Sequence, residues 1–364
     1  MIDVRRSRPE VSGLTDGDMG VVVTLVVFEG LWRQSRLGLV NLILFGTWPS
    51  VEVVDERSTT VRVLVLGAGV IGQIYAGRLA GAGHDVSVLG RGATAHALTQ
   101  RGISLRSPQG LRNVRVPVVE QMDPTVSWDL TLVTVRRDQL DSVLPVLAEL
   151  RSTQVVLMLN QPVNGEGAAR TVGRDRTLFA FPGVGGSRSD DGTIVYIEIP
   201  QQRTTIGVQA GRERPFVDLL RSAQFPVATT NHMLDWLVTH AVFVATVGAA
   251  IVVAGDAALL AADRAAVRAM VLAVREGFHA LARTGTHVTP VALRSIFTLV
   301  PGLFAVRYWQ RQLAGPVGAV AIAPHVLATR HTELPALSAD VHRLLAPAGP
   351  TPRISALLDA AETS

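Results

Sequence analysis

The 364-residue chain contains no cysteine. Disulfides, cysteine-ligated zinc and a thiolate nucleophile are therefore excluded, and the composition fits a reducing, cytoplasmic setting. Lysine is absent as well, so all 34 basic residues are arginine. No Schiff base and no amine acting as general acid can form. The histidines show neither HxH nor HExxH spacing and Gly-x-Ser-x-Gly does not occur, so neither a metal site nor a hydrolase elbow is expected. The pI of about 10.4 reflects the late titration of arginine. The arginines are scattered, with no basic run interleaved with aromatics, so no nucleic-acid partner is expected. No opening layout of charge, apolar core and cleavage site is present. The apolar runs Val21–Phe28 and Leu37–Phe45 are too short for a bilayer. The run Ala241–Gly255 has 15 residues with Thr246 as its only polar side chain. It is also short, and Asp235, His240 and Asp256 lie close to it, so it reads as a buried core helix with no membrane partner.

What the chain does have is one highly organised stretch. Val61 to Leu66 reads as a strand buried on both faces. Gly67-Ala68-Gly69-Val70-Ile71-Gly72 follows at the spacing GxGxxG, and a helix is expected from Gln73 to Ala82. That order fits a dinucleotide-binding βα turn. Gly67 allows the tight turn, Gly69 lets a pyrophosphate approach the backbone, and Gly72 lets the helix pack close to the strand. Amides at the helix start then hold the phosphates. The next strand, His84 to Leu89, ends in Gly90-Arg91-Gly92, and no acid occurs between Val86 and Arg112. An acid at that strand end would accept from a ribose 2′-OH. Arg91 is instead placed to pair with a 2′-phosphate, so the expected cofactor is NADP; the alternative is a solvated loop arginine.

The strand Asp129–Val135 ends at Arg136, and Gln154–Leu159 ends at Asn160. Ligands of open α/β sheets sit at such carboxyl ends, so Arg91, Arg136 and Asn160 are expected to converge. Thr177–Pro182 reads as a strand followed by a loop over Gly183–Gly186. Thr193–Ile199 and Arg203–Val208 are expected to pair antiparallel. The organisation expected is α/β: a Rossmann NADP-binding domain over residues 61–230, then an all-helical C-terminal domain over 231–345 and a Pro-rich, weakly helical tail over 346–364. Residues 1–60 read as an N-terminal extension, either an accessory helical element or, the preferred expectation, an upstream misread of the true start. A chain starting near Ser58 is expected to keep nucleotide binding.

With these features in view, the chain resembles the ketopantoate reductase family over roughly Val61 to Leu345. The resemblance implies NADPH in a cleft between the two domains, a homodimer through the helical part, and reduction of a 2-keto acid. It assigns Gly67, Gly69 and Gly72, with Ala68, Val70 and Ile71 between them, to the phosphate loop and Arg91 to the 2′-phosphate. It puts Arg136 where a lysine usually stands near cofactor, and Asn160 beside nicotinamide and substrate. Gln161 replaces the glycine that usually follows. The departures lie on the helix led by Trp236. The family's Trp-x-Lys, with asparagines four and eight residues after the lysine, becomes Val238, Val242 and Thr246. Placing His240 at the lysine gives Val244 and Gly248, and His240 is expected to point away from position 238's face as a core histidine. The family's Pro-Ser-Met segment is missing, and Arg330-His331-Thr332-Glu333 only loosely echoes the family residues that come after that segment. The expected activity is therefore reduction of a small-molecule carbonyl substrate other than ketopantoate, with Asn160 orienting the carbonyl and Arg136 stabilising charge or holding cofactor. The second expectation is a non-catalytic NADP(H)-binding sensor or partner module.

Overall fold

The computed structural model describes residues 60–364, which lie in one compact unit spanning Ser58–Ser364. The expectation for residues 1–60 falls outside the described residues, Thr60 excepted. The first strand, β1 (Arg62–Leu66), leads through the glycine loop into α1 (Val70–Gly81). Then come β2 (Asp85–Leu89), α2 (Gly92–Arg101), β3 (Ile103–Ser107), β4 (Gly110–Val114), β5 (Val118–Val119) and β6 (Trp128–Val133). Next are α3 (Leu140–Glu149), β7 (Ser152–Met158), α4 (Gly165–Val172), β8 (Thr177–Phe181), β9 (Val184–Arg188), β10 (Ile194–Glu198), β11 (Thr204–Gly207), α5 (Arg214–Ser222) and β12 (Val227–Thr230).

Eight strands form one sheet in the order β12-β11-β8-β7-β6-β1-β2-β5, parallel except where β11 meets β8. β1 is apolar throughout its buried length because both its faces are covered. Val63 and Val65 pack with Ile74 and Leu79 of α1, while Leu64 and Leu66 pack with Leu140, Leu144 and Leu147 on the α3 side. The chain moves outward from β1 to β2 and β5, then returns to β6 on β1's other side. The carboxyl ends of β1 and β6 therefore flank the reversal of strand order, where open α/β sheets bind ligands.

Two sequence expectations need correction here. The Gly183–Gly186 segment is not a loop: β9 runs Val184–Arg188. Its glycines serve close approach, since a Cβ on Gly185 would lie 2.5 Å from the Ala321 Cβ and one on Gly186 2.5 Å from the Val195 carbonyl oxygen. Nor do the two following strands pair with each other. β10 joins a separate four-stranded sheet, β4-β3-β10-β9, whereas β11 joins the main sheet beside β8. Period-two alternation marks a strand but does not choose its partner.

The helical part begins with α6 (Met233–Ala254) and continues through α7 (Ala257–Ala262), α8 (Arg264–Arg283), α9 (Val291–Thr298), α10 (Gly302–Ala314), a π-helical turn (Val317–Ile322), α11 (Ala323–Thr329), α12 (Glu333–Leu345) and α13 (Pro352–Glu362). α6 is long and apolar enough to cross a membrane, yet 72% of its most apolar window is buried within the fold. Gly277 of α8 permits this packing, because a Cβ there would lie 2.6 Å from Val242 Cγ1. The terminal segment is firmer than expected. Ile354, Leu358 and Ala361 of α13 enter the helical core, and Glu276 accepts from the Arg353 and Ile354 amides at 2.8 and 3.0 Å. Arg137, just beyond β6, reaches α12 with a 2.7 Å ion pair to Asp340; their side chains are 12% and 1% exposed.

Candidate active site

The glycine loop is shaped from both sides. Gly67 has φ +116°, a left-handed conformation that favours glycine. A Cβ on Gly72 would lie 1.8 Å from the Gly67 carbonyl oxygen, so α1 could not pack this close with any other residue there. Thr134 at the end of β6 braces the turn, its hydroxyl donating to the Gly67 carbonyl at 3.0 Å. Gln73 fixes the Ala68 carbonyl at 2.8 Å. Gly69 is different: a Cβ there would meet nothing within 4 Å. Gly69 is the N-cap of α1, the cap makes no side-chain hydrogen bond, and the first turn carries no acid. The amides at Val70, Ile71 and Gly72 thus form an uncapped, positive helix end over open space, a cradle that fits an anionic phosphate.

Arg91 stands at the carboxyl end of β2 as the N-cap of α2, exposed to solvent. Gly90 lies against the glycine loop, since its Cβ would be 2.9 Å from the Ala68 Cβ. Arg91 is thereby held beside the loop, and among the described residues its guanidinium makes no ion pair.

A cleft of about 1050 Å³ opens from this loop. Gly69, Val70 and Ile71 line it, as do Thr134, Arg136, Asn160, His240, His325 and Glu333. The carboxyl ends of β1, β6 and β7 therefore reach one space, which also meets the helical part. Arg136 is not a free cation there: its Nε and Nη2 donate to the two Asp138 carboxylate oxygens at 3.1 and 3.2 Å. Asn160 Nδ2 donates to Glu333 Oε1 at 3.4 Å, and the Arg137 amide donates to the same oxygen at 3.4 Å. Glu333 is only 4% exposed. Its Oε2 lies 3.1 Å from His325 Nε2, in an orientation short of a directed hydrogen bond. Burial pushes the Glu333 carboxyl up, but His325, the Arg137 amide and Asn160 together outweigh it and hold the group below the usual carboxylate range.

The α6 wall corrects the expected helix register. The side chains lining the cleft are Trp236, His240, Phe243, Val244 and Val247. Val242 and Thr246 are fully buried on the opposite side, where Thr246 donates to the Val242 carbonyl at 2.6 Å, and Val238 packs on the helical core. His240 is buried and points away from position 238's face, as expected, but it is this side of the helix, not the Val238 side, that meets the cleft. It stacks on Trp236 with centroids 4.7 Å apart and meets Phe181 at 4.2 Å. Burial pushes its imidazole down to about 3, so it is neutral near neutral pH.

The expected residues thus divide. Gly69, Val70, Ile71, Arg136 and Asn160 share the cleft, Gly67, Ala68 and Gly72 support it from behind, and Arg91 sits at the loop's other edge. Sequence reasoning missed Glu333 and His325 as site residues. The Arg330–Glu333 echo was the available signal for the first; nothing local marked the second.

Residues 63–211 match the family described as Ketopantoate reductase PanE/ApbA. The chain is 29% identical over 107 residues to a 2-dehydropantoate 2-reductase of Pyrococcus horikoshii, covering 29% of this chain and 35% of that protein. It is 24% identical over 139 residues to the Listeria monocytogenes enzyme of that name, covering 37% and 47%. The chain thus matches about a third to a half of the length of these relatives. Among solved structures, 2-dehydropantoate 2-reductase from Geobacter metallireducens GS-15 superposes with TM-score 0.69 at 17% identity, covering 83% of this chain and 99% of that one. A ternary structure of D-mandelate dehydrogenase with NADH and anilino(oxo)acetate superposes with TM-score 0.65 at 13% identity, covering 83% and 97%. These likenesses extend the fold across both parts of the chain.

Proposed function

Because the chain belongs, through residues 63–211, to the ketopantoate reductase family and has its oxidoreductase fold, we propose that it is an NADP(H)-dependent reductase of an apolar carbonyl compound other than ketopantoate. The observation that carries this reading is the single cleft running from the uncapped amides at Gly69 to Asn160, Glu333 and His325.

In this reading Gly67 to Gly72 hold the pyrophosphate and Arg91 pairs with the 2′-phosphate, which favours NADP over NAD. The bound nicotinamide supplies hydride. Asn160, fixed by Glu333, orients the carbonyl. His240, kept neutral between aromatic rings, donates a hydrogen bond to the carbonyl oxygen without giving up a proton. His325 is the proton carrier. Its Nε2 lies 3.1 Å from Glu333 Oε2, and Nδ1 takes no hydrogen bond among the described residues. Arg136, already paired with Asp138, contributes partial charge near the cofactor rather than a proton. Phe243, Val244, Val247, Ile296 and Trp309 give the substrate end an apolar lining, which offers few partners for a diol. Val291, Leu299, Leu303 and Phe304 are exposed on α9 and α10 and nearby, an apolar surface that a homodimer through the helical part would cover.

The test is NADPH oxidation, followed by nicotinamide absorbance, against aryl, branched-alkyl and polar 2-keto substrates. Turnover of apolar members with negligible ketopantoate reduction is expected; efficient ketopantoate reduction would refute the substrate assignment. The neutral state of His240 and the absence of lysine favour a second reading, a nucleotide-binding sensor. Tight NADPH binding with no turnover of any carbonyl would select it.

A further inference from the structure

A second cluster of chemistry lies outside the residues assigned roles in reduction, where α6 begins. His232 is the N-cap of α6 and Asp235 lies in its first turn. His287 comes from the loop between α8 and α9, 52 residues away in sequence. All three side chains converge. His287 Nδ1 is 3.1 Å from Asp235 Oδ2, and His232 Nδ1 is 3.9 Å from the same oxygen. The three candidate ligand atoms lie within 4.8 Å of one another, and the two imidazole rings are 4.9 Å apart.

We propose that His232, Asp235 and His287 form a divalent transition-metal site. A tetrahedral ion with nitrogen and oxygen ligands at about 2.0–2.1 Å requires ligand atoms roughly 3.3–3.4 Å apart, a spacing that the 3.1 and 3.9 Å separations of the two imidazoles from Asp235 bracket. His287 hydrogen-bonds the Asp235 carboxylate at 3.1 Å, whereas the 3.9 Å approach of His232 is too long for a hydrogen bond, so an ion set among the three would engage the imidazole that the carboxylate alone leaves unbonded. Two imidazoles and one carboxylate select zinc, cobalt or nickel over magnesium or calcium, which prefer all-oxygen shells. The side chains are 56%, 30% and 73% exposed for His232, Asp235 and His287, so water completes the coordination.

The site also has a mechanical consequence. Two residues past His287, the Thr289 amide donates to Thr239 Oγ1 at 3.3 Å, and Thr289 and Pro290 line the cleft. A bound ion ties that cleft-lining loop to the helix that carries His240. The site acts as a clip at the rim of the cleft, and its existence does not depend on which nucleotide or substrate the cleft takes.

The test is calorimetric titration of the untagged full chain with zinc chloride, with cobalt absorption spectra reporting coordination geometry. One zinc per chain is expected, with a Kd on the order of micromolar. His232→Ala and His287→Ala are each expected to weaken it about ten-fold or more, while His279→Ala, at an exposed histidine on α8, leaves it unchanged. Thermal melts of the metal-free variants establish that they remain folded. No saturable heat up to about millimolar zinc, or binding that persists in the His232→Ala/His287→Ala double variant, overturns the proposal.

Discussion

The substitution Gly69→Ala isolates nucleotide binding from folding. Gly69 has φ −74° and ψ −170°, a backbone any residue adopts, and an added Cβ meets nothing within 4 Å. Two small terms act on stability. Alanine is a poorer helix N-cap, costing about 0.5–1 kcal/mol, while the stiffer unfolded chain returns about 0.4–1 kcal/mol. The melting temperature should therefore stay within about 2 °C of wild type. Binding is another matter. The methyl occupies the space through which phosphate oxygens reach the first-turn amides. Losing two such charge-assisted hydrogen bonds at about 1.5–3 kcal/mol each removes at least about 3 kcal/mol, a hundred-fold or more in Kd. Gly72→Ala is the contrasting variant. Its Cβ collides with the Gly67 carbonyl at 1.8 Å and the Thr134 hydroxyl at 2.7 Å, so it should lose both stability, by about 1–3 kcal/mol, and binding. Calorimetric titration with NADPH and thermal melts read both quantities. A Gly69→Ala protein that binds NADPH as wild type does would refute the placement of phosphates on this loop.

Three further outcomes are expected. Arg91→Ala should weaken NADPH about ten-fold or more and leave NADH unchanged, measured by the same titrations; equal loss for both nucleotides would remove the 2′-phosphate role. His240 has a folded pKa of about 3 against the ordinary 6.5, so the unfolded chain takes up a proton that the folded one refuses. Its contribution is complete above about pH 6.5 and is lost as pH falls toward 3, at up to about 1.4 kcal/mol per pH unit. His240→Phe should flatten melting temperature between pH 6.5 and 4, and an unchanged slope would show that the ring is protonated or exposed in the fold. Arg137→Met strips one partner from Asp340, whose side chain is 1% exposed and retains Arg343, and should cost about 3 kcal/mol in denaturant unfolding. No loss there would mean that Arg343 alone compensates the buried carboxylate.

The parts of this protein set by short-range chemistry were legible in its sequence. The run from Val61 through Gly72 carries strand, turn and helix start in consecutive residues, and Arg136 and Asn160 lie just past the carboxyl ends of β6 and β7. The same logic failed where a choice depends on distant partners. α6 is apolar nearly all round, so it has no stripe to show which side meets the sheet. Counting from Trp236 selected the Val238 face, whereas packing against Gly277 turned that face inward and put His240 on the cleft. Glu333 reaches Asn160 across 173 residues, and His325 reaches Glu333, only because α11 and α12 fold back over the strand ends, a contact no local pattern encodes. β10 and β11 have similar alternation yet enter different sheets, since alternation specifies faces and not neighbours.

Nucleotide recognition by the glycine bend and Arg91 underlies every role proposed for the cleft. Paired calorimetric titrations of the full chain with NADPH and NADH test it. Saturable one-to-one binding of NADPH, about ten-fold or more tighter than NADH, is the predicted result. Heat from neither nucleotide, or equal affinity for both, would contradict it.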